Sequence, residues 1–294
     1  MIQSWDEYVE FPEEKIRVMR DLINDQKQSD KLKDLFVNRI LREDVFRVLD
    51  ACCTVIYYPF DKTEENDGFH VQRPVDYGGR TEEHFVCINT GKGLEKQVFA
   101  AAHELGHIWN MIELIWADGF EMPKEQRYTE AAMNRFAAEL LMPEDIFKGA
   151  AEKLREQYVR DGTIALTDAC RLVAKLMDDF CVPAQAVIFR LYETKCLSRE
   201  SCEQWLITGP IDPPKISQKD YQKLFERLLK KCIAEGGYTR LLQPSRKKFI
   251  KDFPQILDEV EKRELFSEDR VQELREFLDI PVIEKNNTKL DLGD

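Results

Sequence analysis

Residues Ala101-Ala102-His103-Glu104-Leu105-Gly106-His107 are the most informative segment of this 294-residue chain. Two histidines four residues apart on an α-helix project from the same face, because four residues make nearly one turn, and both imidazoles can therefore bind one tetrahedral metal ion. Glu104 lies beside such an ion without having to bind it, which is where a general base belongs. Gly106 keeps the intervening turn free of bulk. The motif predicts a zinc site on a helix.

A third protein ligand is expected, because catalytic zinc usually takes three and leaves a fourth position open. Glu113 lies six residues past His107 and is turned away from the histidine face, and Asp118 returns to that face about three turns too far along. The next predicted helix offers Glu130 and Glu139. These two are nine residues apart and face opposite sides of a helix, so at most one of them can reach the ion.

The neighbours of the two glutamates favour Glu130 as the third ligand. Glu130 shares its helix face with a mostly apolar and therefore inward stripe, made up of Met133, Asn134, Ala137 and Leu141. Glu139 shares its face with Arg135, which indicates an ion pair on the solvent side. Asn134 lies one turn beyond Glu130 and is placed to hydrogen-bond a metal ligand, although an ordinary buried amide accounts for it equally well.

The segments around the motif predict an α+β fold. Residues 54–58 and 85–89 are β-branched and aromatic, which is typical of strands in a small sheet. A long helical pattern runs from about Leu94 to Leu114, and a second helix from about Glu125 to Leu141. The histidines therefore lie on a helix that follows a strand. We expect a small sheet packed on an active-site helix and a third-ligand helix, as in zincins.

The two ends of the chain are predicted to be helical. Apolar residues at helical spacing among many charges indicate two amphipathic helices in residues 12–50, and residues 217–280 carry no strand signal. The best linker candidate is Ile211-Asp212-Pro213-Pro214. We expect three regions: an N-terminal helical segment, a zincin-like domain with a helical extension, and a charged helical C-terminal region, over residues 1–50, 51–208 and 209–294 respectively.

Composition argues against membrane and nucleic-acid functions. The formal net charge is −12, from 55 acidic and 43 basic side chains, so direct nucleic-acid binding is not expected. The basic cluster at residues 246–251 is interpreted as a solvated helix face, and residues 166–192 as two packed helices. No apolar run approaches bilayer length, and the acidic first residues resemble no secretory signal, so we expect a cytoplasmic location. Eight scattered cysteines are interpreted as buried thiols.

Three further residues and one strand are candidates for a role in catalysis or substrate binding. Tyr128 is a candidate second donor to the oxyanion, but it is left out of the catalytic set because a packing role explains it better. His70 and His84 are expected to lie in loops or at strand edges and to be solvated. The strand at residues 85–89 is either a core strand or a sheet edge that pairs with an extended substrate.

Two blocks of sequence resemble the ImmA/IrrE family of metallopeptidases. The first block is residues 101–107, quoted above, and the second runs from Glu130-Ala131-Ala132-Met133-Asn134-Arg135-Phe136 to Leu141-Met142-Pro143. The resemblance covers roughly residues 40–200. It implies that His103 and His107 are the zinc histidines, Glu104 the catalytic glutamate and Glu130 the acidic third ligand. Members often have Glu-Ala where this chain has Ala132-Met133, so one secondary polar contact is in doubt.

The resemblance also implies a function. Family members cut a protein partner, typically a helix-turn-helix repressor whose removal releases stress-response, mobile-element or phage genes. The expected activity is therefore a zinc-dependent endopeptidase that acts on a regulatory protein. Two alternatives remain open: a catalytically silent zinc-fold protein that binds or scaffolds a regulator, and a DNA-binding regulator acting through residues 166–192, which the net charge disfavours.

Overall fold

A computed structural model describes residues 8–60, 66–77, 80–117, 126–159, 164–203 and 218–280. The helices that position the site are α1 (Glu13–Gln28), α2 (Val45–Cys52), α3 (Leu94–Ile108), α4 (Met111–Trp116), α5 (Gln126–Leu141), α6 (Glu144–Tyr158), α7 (Leu166–Phe180) and α8 (Ala184–Glu193). Four further helices follow, α9 (Arg199–Glu203), α10 (Gln218–Glu235), α11 (Phe253–Lys262) and α12 (Glu268–Phe277). The predicted linker at residues 211–214 lies outside the described residues. None of the helices in the described ranges combines the length and apolar character needed to cross a bilayer.

The strands form one small mixed sheet, and the predicted α+β class is confirmed. The strands are β1 (Thr54–Tyr58), β2 (Gly68–Tyr77), β3 (Arg80–Asn89) and β4 (Phe249–Ile250), in the order β2-β3-β1-β4. β1 and β3 are parallel, whereas β2 pairs antiparallel with β3 and β4 antiparallel with β1. Because β3 is central, residues 85–89 form a core strand, and the alternative of an edge strand there is wrong.

The active-site helix α3 packs against one face of this sheet. Val55 of β1 and Val86 and Ile88 of β3 are fully buried on that face. The helix is shorter than the pattern to Leu114 predicts, because Asn110 adopts a left-handed conformation with φ of 52°. This residue separates α3 from the short α4, since an α-helix cannot continue through a residue with positive φ.

In the N-terminal region, helix α1 packs its apolar face into the core. Ile16, Met19 and Ile23 of α1 are buried, as the amphipathic pattern predicts. The second expected helix is confirmed only from Val45 onward. The residues before it contain two single 3₁₀ turns, Lys33–Leu35 and Arg42–Asp44, because the apolar residues there pack without a sustained helical repeat.

The C-terminal region is mostly helical but also contributes the edge strand β4. The prediction of no strand in residues 217–280 is therefore wrong. Thr90 donates its hydroxyl to the Lys247 carbonyl at 2.7 Å, and Ile250 pairs with Ile56 of β1. The basic cluster at residues 246–251 lies along this extended segment and not on a helix. Sequence periodicity missed the strand because two paired residues are too few to show alternation.

Candidate metal centre

Helices α3 and α5 bring three potential metal ligands together. The rings of His103 and His107 lie 5.3 Å apart between centroids. The Oε2 atom of Glu130 lies 3.2 Å from Nε2 of His103. One ligand atom from each of the three side chains falls within 4.8 Å of the other two. Among the described residues, this is the only such cluster of three histidine, cysteine or carboxylate side chains.

The donor set fits a zinc ion. Zinc binds imidazole nitrogen and carboxylate oxygen at about 2.0–2.2 Å, so neighbouring donors in a tetrahedral site lie about 3.3 Å apart. The 3.2 Å between Nε2 of His103 and Oε2 of Glu130 matches that spacing. Two imidazoles and one carboxylate leave a fourth position open, which is the arrangement of a catalytic rather than a structural site.

Asn134 contacts a ligand, as the helix phase allowed. His103 donates its Nδ1 proton to Oδ1 of Asn134 at 3.0 Å. A neutral imidazole with its proton on Nδ1 has a lone pair on Nε2, the atom that faces Glu130. The hydrogen bond therefore fixes both the tautomer and the ring orientation that metal binding requires.

Glu104 lies next to the cluster in a largely dry environment. Only 5% of the residue is exposed. Burial raises the pKa of Glu104 to about 7, although the positive charge of His103 acts in the opposite direction. A carboxylate with a raised pKa takes up a proton readily near neutral pH, which is the property needed in a general base that later returns the proton.

The three ligands shift one another's protonation. Burial lowers the pKa of His103, but the contact with Glu130 and the charge of Glu104 outweigh it and raise the pKa. The contact with His103 lowers the pKa of Glu130, against a smaller opposing effect of burial. Burial and the charge of His103 lower the pKa of His107 to about 4. His107 and Glu130 are thus in the deprotonated forms that a metal ligand needs.

The cluster opens to solvent on the side of the carboxylate. The side chain of Glu130 is 46% exposed, whereas that of His103 is 14% exposed. The sequence predicts that Glu130 lies on an inward-facing stripe of α5. Met133 and Ala137 on that stripe are fully buried, but the side chain of Glu130 is not. Glu130 lies near the start of α5, and its side chain is more exposed than that of His103.

Gly106 sets the distance between the two ligand-bearing helices. A Cβ atom at this position would lie 2.6 Å from Sδ of Met133 and 3.0 Å from Cδ1 of Phe136, both on α5. Spacing below about 3.0 Å is a steric overlap. The glycine therefore does more than keep one turn free of bulk, because it allows α5 to approach α3 closely enough for Glu130 to meet the histidines.

Glu139 lies outside the cluster of His103, His107 and Glu130, but its surroundings differ from those that the sequence predicts. The expected pair with Arg135 exists, with Arg135 Nη2 donating at 2.8 Å. It is not on the solvent side, because Arg135 and Glu139 are 7% and 4% exposed. The prediction was wrong because α5 is buried on nearly all sides, so helix phase alone could not identify a solvent face.

Glu139 is the centre of a buried charge cluster. Its carboxylate accepts hydrogen bonds from Arg135, from Arg190 at 2.7 and 2.8 Å, and from Arg20 at 3.0 Å. Burial raises the pKa of Glu139, but the three guanidinium groups outweigh it and hold the pKa well below its usual range. Glu193 joins the cluster and contacts Arg135 at 3.0 Å. The cluster ties α5 to α1 and α8.

His70 and His84 occupy positions that the sequence interpretation missed. Neither lies in a loop: His70 lies in the outer strand β2, as the strand-edge alternative predicts, and His84 in the inner strand β3, and both are partly buried. Their rings are hydrogen-bonded at 2.8 Å, and the His70 ring stacks on that of His107 at 5.9 Å between centroids. The rarity of histidine in this chain, four in all, is the one sequence signal that could have suggested a shared location.

Tyr128, the other residue considered for the chemistry, is only partly buried on α5. The guanidinium of Arg127 lies over its ring at 5.1 Å. Tyr128 precedes Glu130 by two residues, so the two side chains leave the helix in nearly opposite directions. This is consistent with its exclusion from the predicted catalytic set.

Comparison with known proteins shows that the segment containing this cluster is similar to a peptidase domain. The family model of the IrrE N-terminal-like domain, Peptidase_M78, matches residues 53–192. That range contains His103, Glu104, His107, Glu130 and Asn134, and it ends on α8 beside the buried charge cluster. A search of curated proteins found no match to the chain. Residues 53–192 are similar to the IrrE N-terminal-like domain, which supports the resemblance to the ImmA/IrrE family of peptidases that the two sequence blocks indicated.

Proposed function

We propose that this chain is a zinc-dependent endopeptidase that cleaves a regulatory protein partner. The observation that carries the proposal is the convergence of His103, His107 and Glu130 within 4.8 Å, with an open fourth position and Glu104 alongside. The family of residues 53–192 supports a peptidase. The substrate class, a helix-turn-helix repressor, comes from the resemblance of the two sequence blocks.

In the proposed reaction, the metal ion and the protein side chains have separate roles. Bound zinc supplies Lewis-acid chemistry, which makes a coordinated water more acidic and polarises a carbonyl group. His103 and His107 hold the ion, with the His103 ring oriented by Asn134. Glu130 adds the one negative charge among the ligands.

Glu104 carries the proton in this proposal. It accepts a proton from the attacking water as the new carbon–oxygen bond forms at the scissile carbonyl. It then delivers that proton to the amide nitrogen as the carbon–nitrogen bond breaks, so the leaving group departs as a neutral amine. Burial of the Glu104 carboxylate keeps bulk water from competing for the proton.

The decisive experiment compares the wild type with Glu104→Gln. The full chain is incubated with any small helix-turn-helix protein encoded next to it on the genome and, separately, with a peptide library from a digested proteome, and new termini are identified by mass spectrometry. We expect both proteins to hold about one zinc ion per chain and only the wild type to cleave. Glu113→Gln is the matched control, because this glutamate on α4 is exposed and lies outside the ligand cluster.

Two outcomes would contradict the proposal. Cleavage that survives Glu104→Gln would show that this carboxylate is not the general base. A wild-type protein that holds zinc and binds the neighbouring repressor without cutting it would favour the silent, scaffolding alternative.

A further inference from the structure

The chain's four histidines form a single row that ends in the ligand cluster. His84 of β3 and His70 of β2 stack at 5.1 Å with an interplanar angle of 17°. His70 stacks in turn on His107 at 5.9 Å with an angle of 20°, and His107 lies 5.3 Å from His103. The chain has no other histidine. Of the two histidines outside the proposed ligand set, His70 therefore borders the set directly and His84 borders His70.

The strand register explains how the two extra histidines meet. His70 pairs with Val86 and Gln72 with His84, so His70 and His84 are diagonal neighbours on one face of the sheet. Val86 is fully buried on that face, which is the face that α3 covers. β2 is the outer strand of the sheet as described. The histidine pair thus lies where the sheet edge meets the active-site helix.

The hydrogen bond between the two rings constrains their protons. Nε2 of His70 lies 2.8 Å from Nδ1 of His84, and a contact of this length between two imidazole nitrogens needs one donor and one acceptor. When His84 is the donor, the remaining proton of a neutral His70 is on Nδ1. In that arrangement the Nδ1–H group of His70 has no hydrogen-bond partner among the residues that the structure describes, and His84 fixes the ring plane and tautomer of His70.

Resting on the proposed peptidase function, we propose that His70 is a further catalytic residue. Its Nδ1–H group donates a hydrogen bond to the carbonyl oxygen of the scissile peptide as that oxygen becomes negative. His84 is the positioning residue that orients it. A fixed donor aimed at a developing oxyanion is among the most effective catalytic devices in peptidases. Tyr128, the sequence-based candidate, lies on the wrong face of α5.

Binding of acetohydroxamate tests this role without turnover, because its anionic oxygens bind zinc and one of them can accept a hydrogen bond from His70. The zinc-loaded full chain is compared with His70→Phe, which keeps an aromatic ring but has no N–H group. We expect the dissociation constant to rise about tenfold or more. Gln72→Ala is the matched control, because Gln72 is exposed on the same face of β2, and its affinity should not change.

Cleavage of library peptides tests the same role in turnover. In His70→Phe we expect kcat to fall about 100-fold while KM changes less than about threefold, as for loss of an oxyanion donor. His84→Phe should lower kcat by a smaller factor. Added imidazole should restore part of the kcat of His70→Ala, which it would not do if the ring served only to pack the strand.

The outcomes separate this inference from the proposed function. Unchanged hydroxamate affinity in His70→Phe overturns the role of His70, even if the wild type is an active peptidase. Loss of zinc from His70→Phe also overturns it, because the residue would then support the metal site and not the substrate. A wild type that binds hydroxamate in a His70-dependent manner but cuts no peptide would contradict the proposed function alone.

Discussion

His103 and Asn134 are joined by a hydrogen bond of 3.0 Å between Nδ1 and Oδ1, which links the active-site helix to the third-ligand helix. The sequence leaves two roles open for Asn134, and the hydrogen bond favours the role of a partner to His103, a predicted metal ligand. Because the bond holds the His103 proton on Nδ1, it keeps Nε2 available on the side of Glu130.

Asn134→Ala should weaken zinc binding about 10- to 100-fold, the usual effect of removing an outer partner of a ligand histidine. Asn134→Asp keeps an oxygen acceptor and should retain most of the affinity. Competition with a chromophoric chelator measures both. Asn24→Ala, at an exposed position on α1, is the control. Equal affinity in Asn134→Ala and the wild type would show that the tautomer is set in another way.

Glu139→Gln should unfold far more easily than the wild type, because three buried or partly buried arginines would lose their shared carboxylate. Breaking a buried ion cluster by removing one partner costs about 3–5 kcal/mol. Urea titration followed by circular dichroism measures the loss.

Glu130→Gln is the matched comparison for that experiment, since it changes a glutamate on the same helix. It should lose zinc while the stability of the protein without added metal changes by less than about 1 kcal/mol. The opposite pattern, zinc lost from Glu139→Gln and retained in Glu130→Gln, would exchange the roles of the two glutamates.

Gly106→Ala should separate α3 from α5 and weaken zinc binding. The new methyl group would overlap Met133 and press on Phe136, and overpacking of this kind costs about 1–3 kcal/mol. Gly149→Ala on α6 is the control, because a Cβ atom there meets nothing within 4 Å. It should stabilise the protein by up to about 1 kcal/mol. If both variants behave alike, the close approach at Gly106 does not set the ligand distance.

Glu95 should make the protein less stable as the pH rises towards neutrality. Burial raises its pKa from the usual 4.5 to about 7, and in the described part of the chain its Oε2 atom has no hydrogen-bond partner. A folded pKa above the unfolded one stabilises the protein at low pH. This stabilisation is lost between about pH 4.5 and 7, and amounts to at most about 3 kcal/mol.

Glu95→Gln removes this titration. Its free energy of unfolding relative to the wild type should therefore be higher at pH 8.5 than at pH 5.5, by about 1–3 kcal/mol. Urea denaturation at the two pH values measures the difference. Glu152→Gln, at an exposed position on α6, should show no such change. A difference for Glu95→Gln that does not depend on pH would rule out an ionised buried carboxylate as its cause.

The clustering of His103, His107 and Glu130 could be predicted because the helix geometry behind it is local. The spacing of His103 and His107 fixes a shared helix face, and the distance from Glu130 to Glu139 along α5 allows only one of them to face the ion. Helix periodicity did not predict correctly whether Glu139 is exposed or buried. Whether a helix face meets water depends on what packs against it, and Arg20 and Arg190 come from segments far away in sequence.

From periodicity over a few turns, the sequence predicts the helix that carries His103 and His107, the α+β class and Glu130 as the candidate third ligand. The folded structure was needed to show that β3 is central, that Glu139 is buried and that His70, hydrogen-bonded to His84, stacks on His107. These depend on strand order and on contacts between distant segments, which no repeat in the sequence encodes. The buried interior also decides which charged groups need partners, because the cost of removing a charge from water depends on its surroundings and not on its neighbours along the chain.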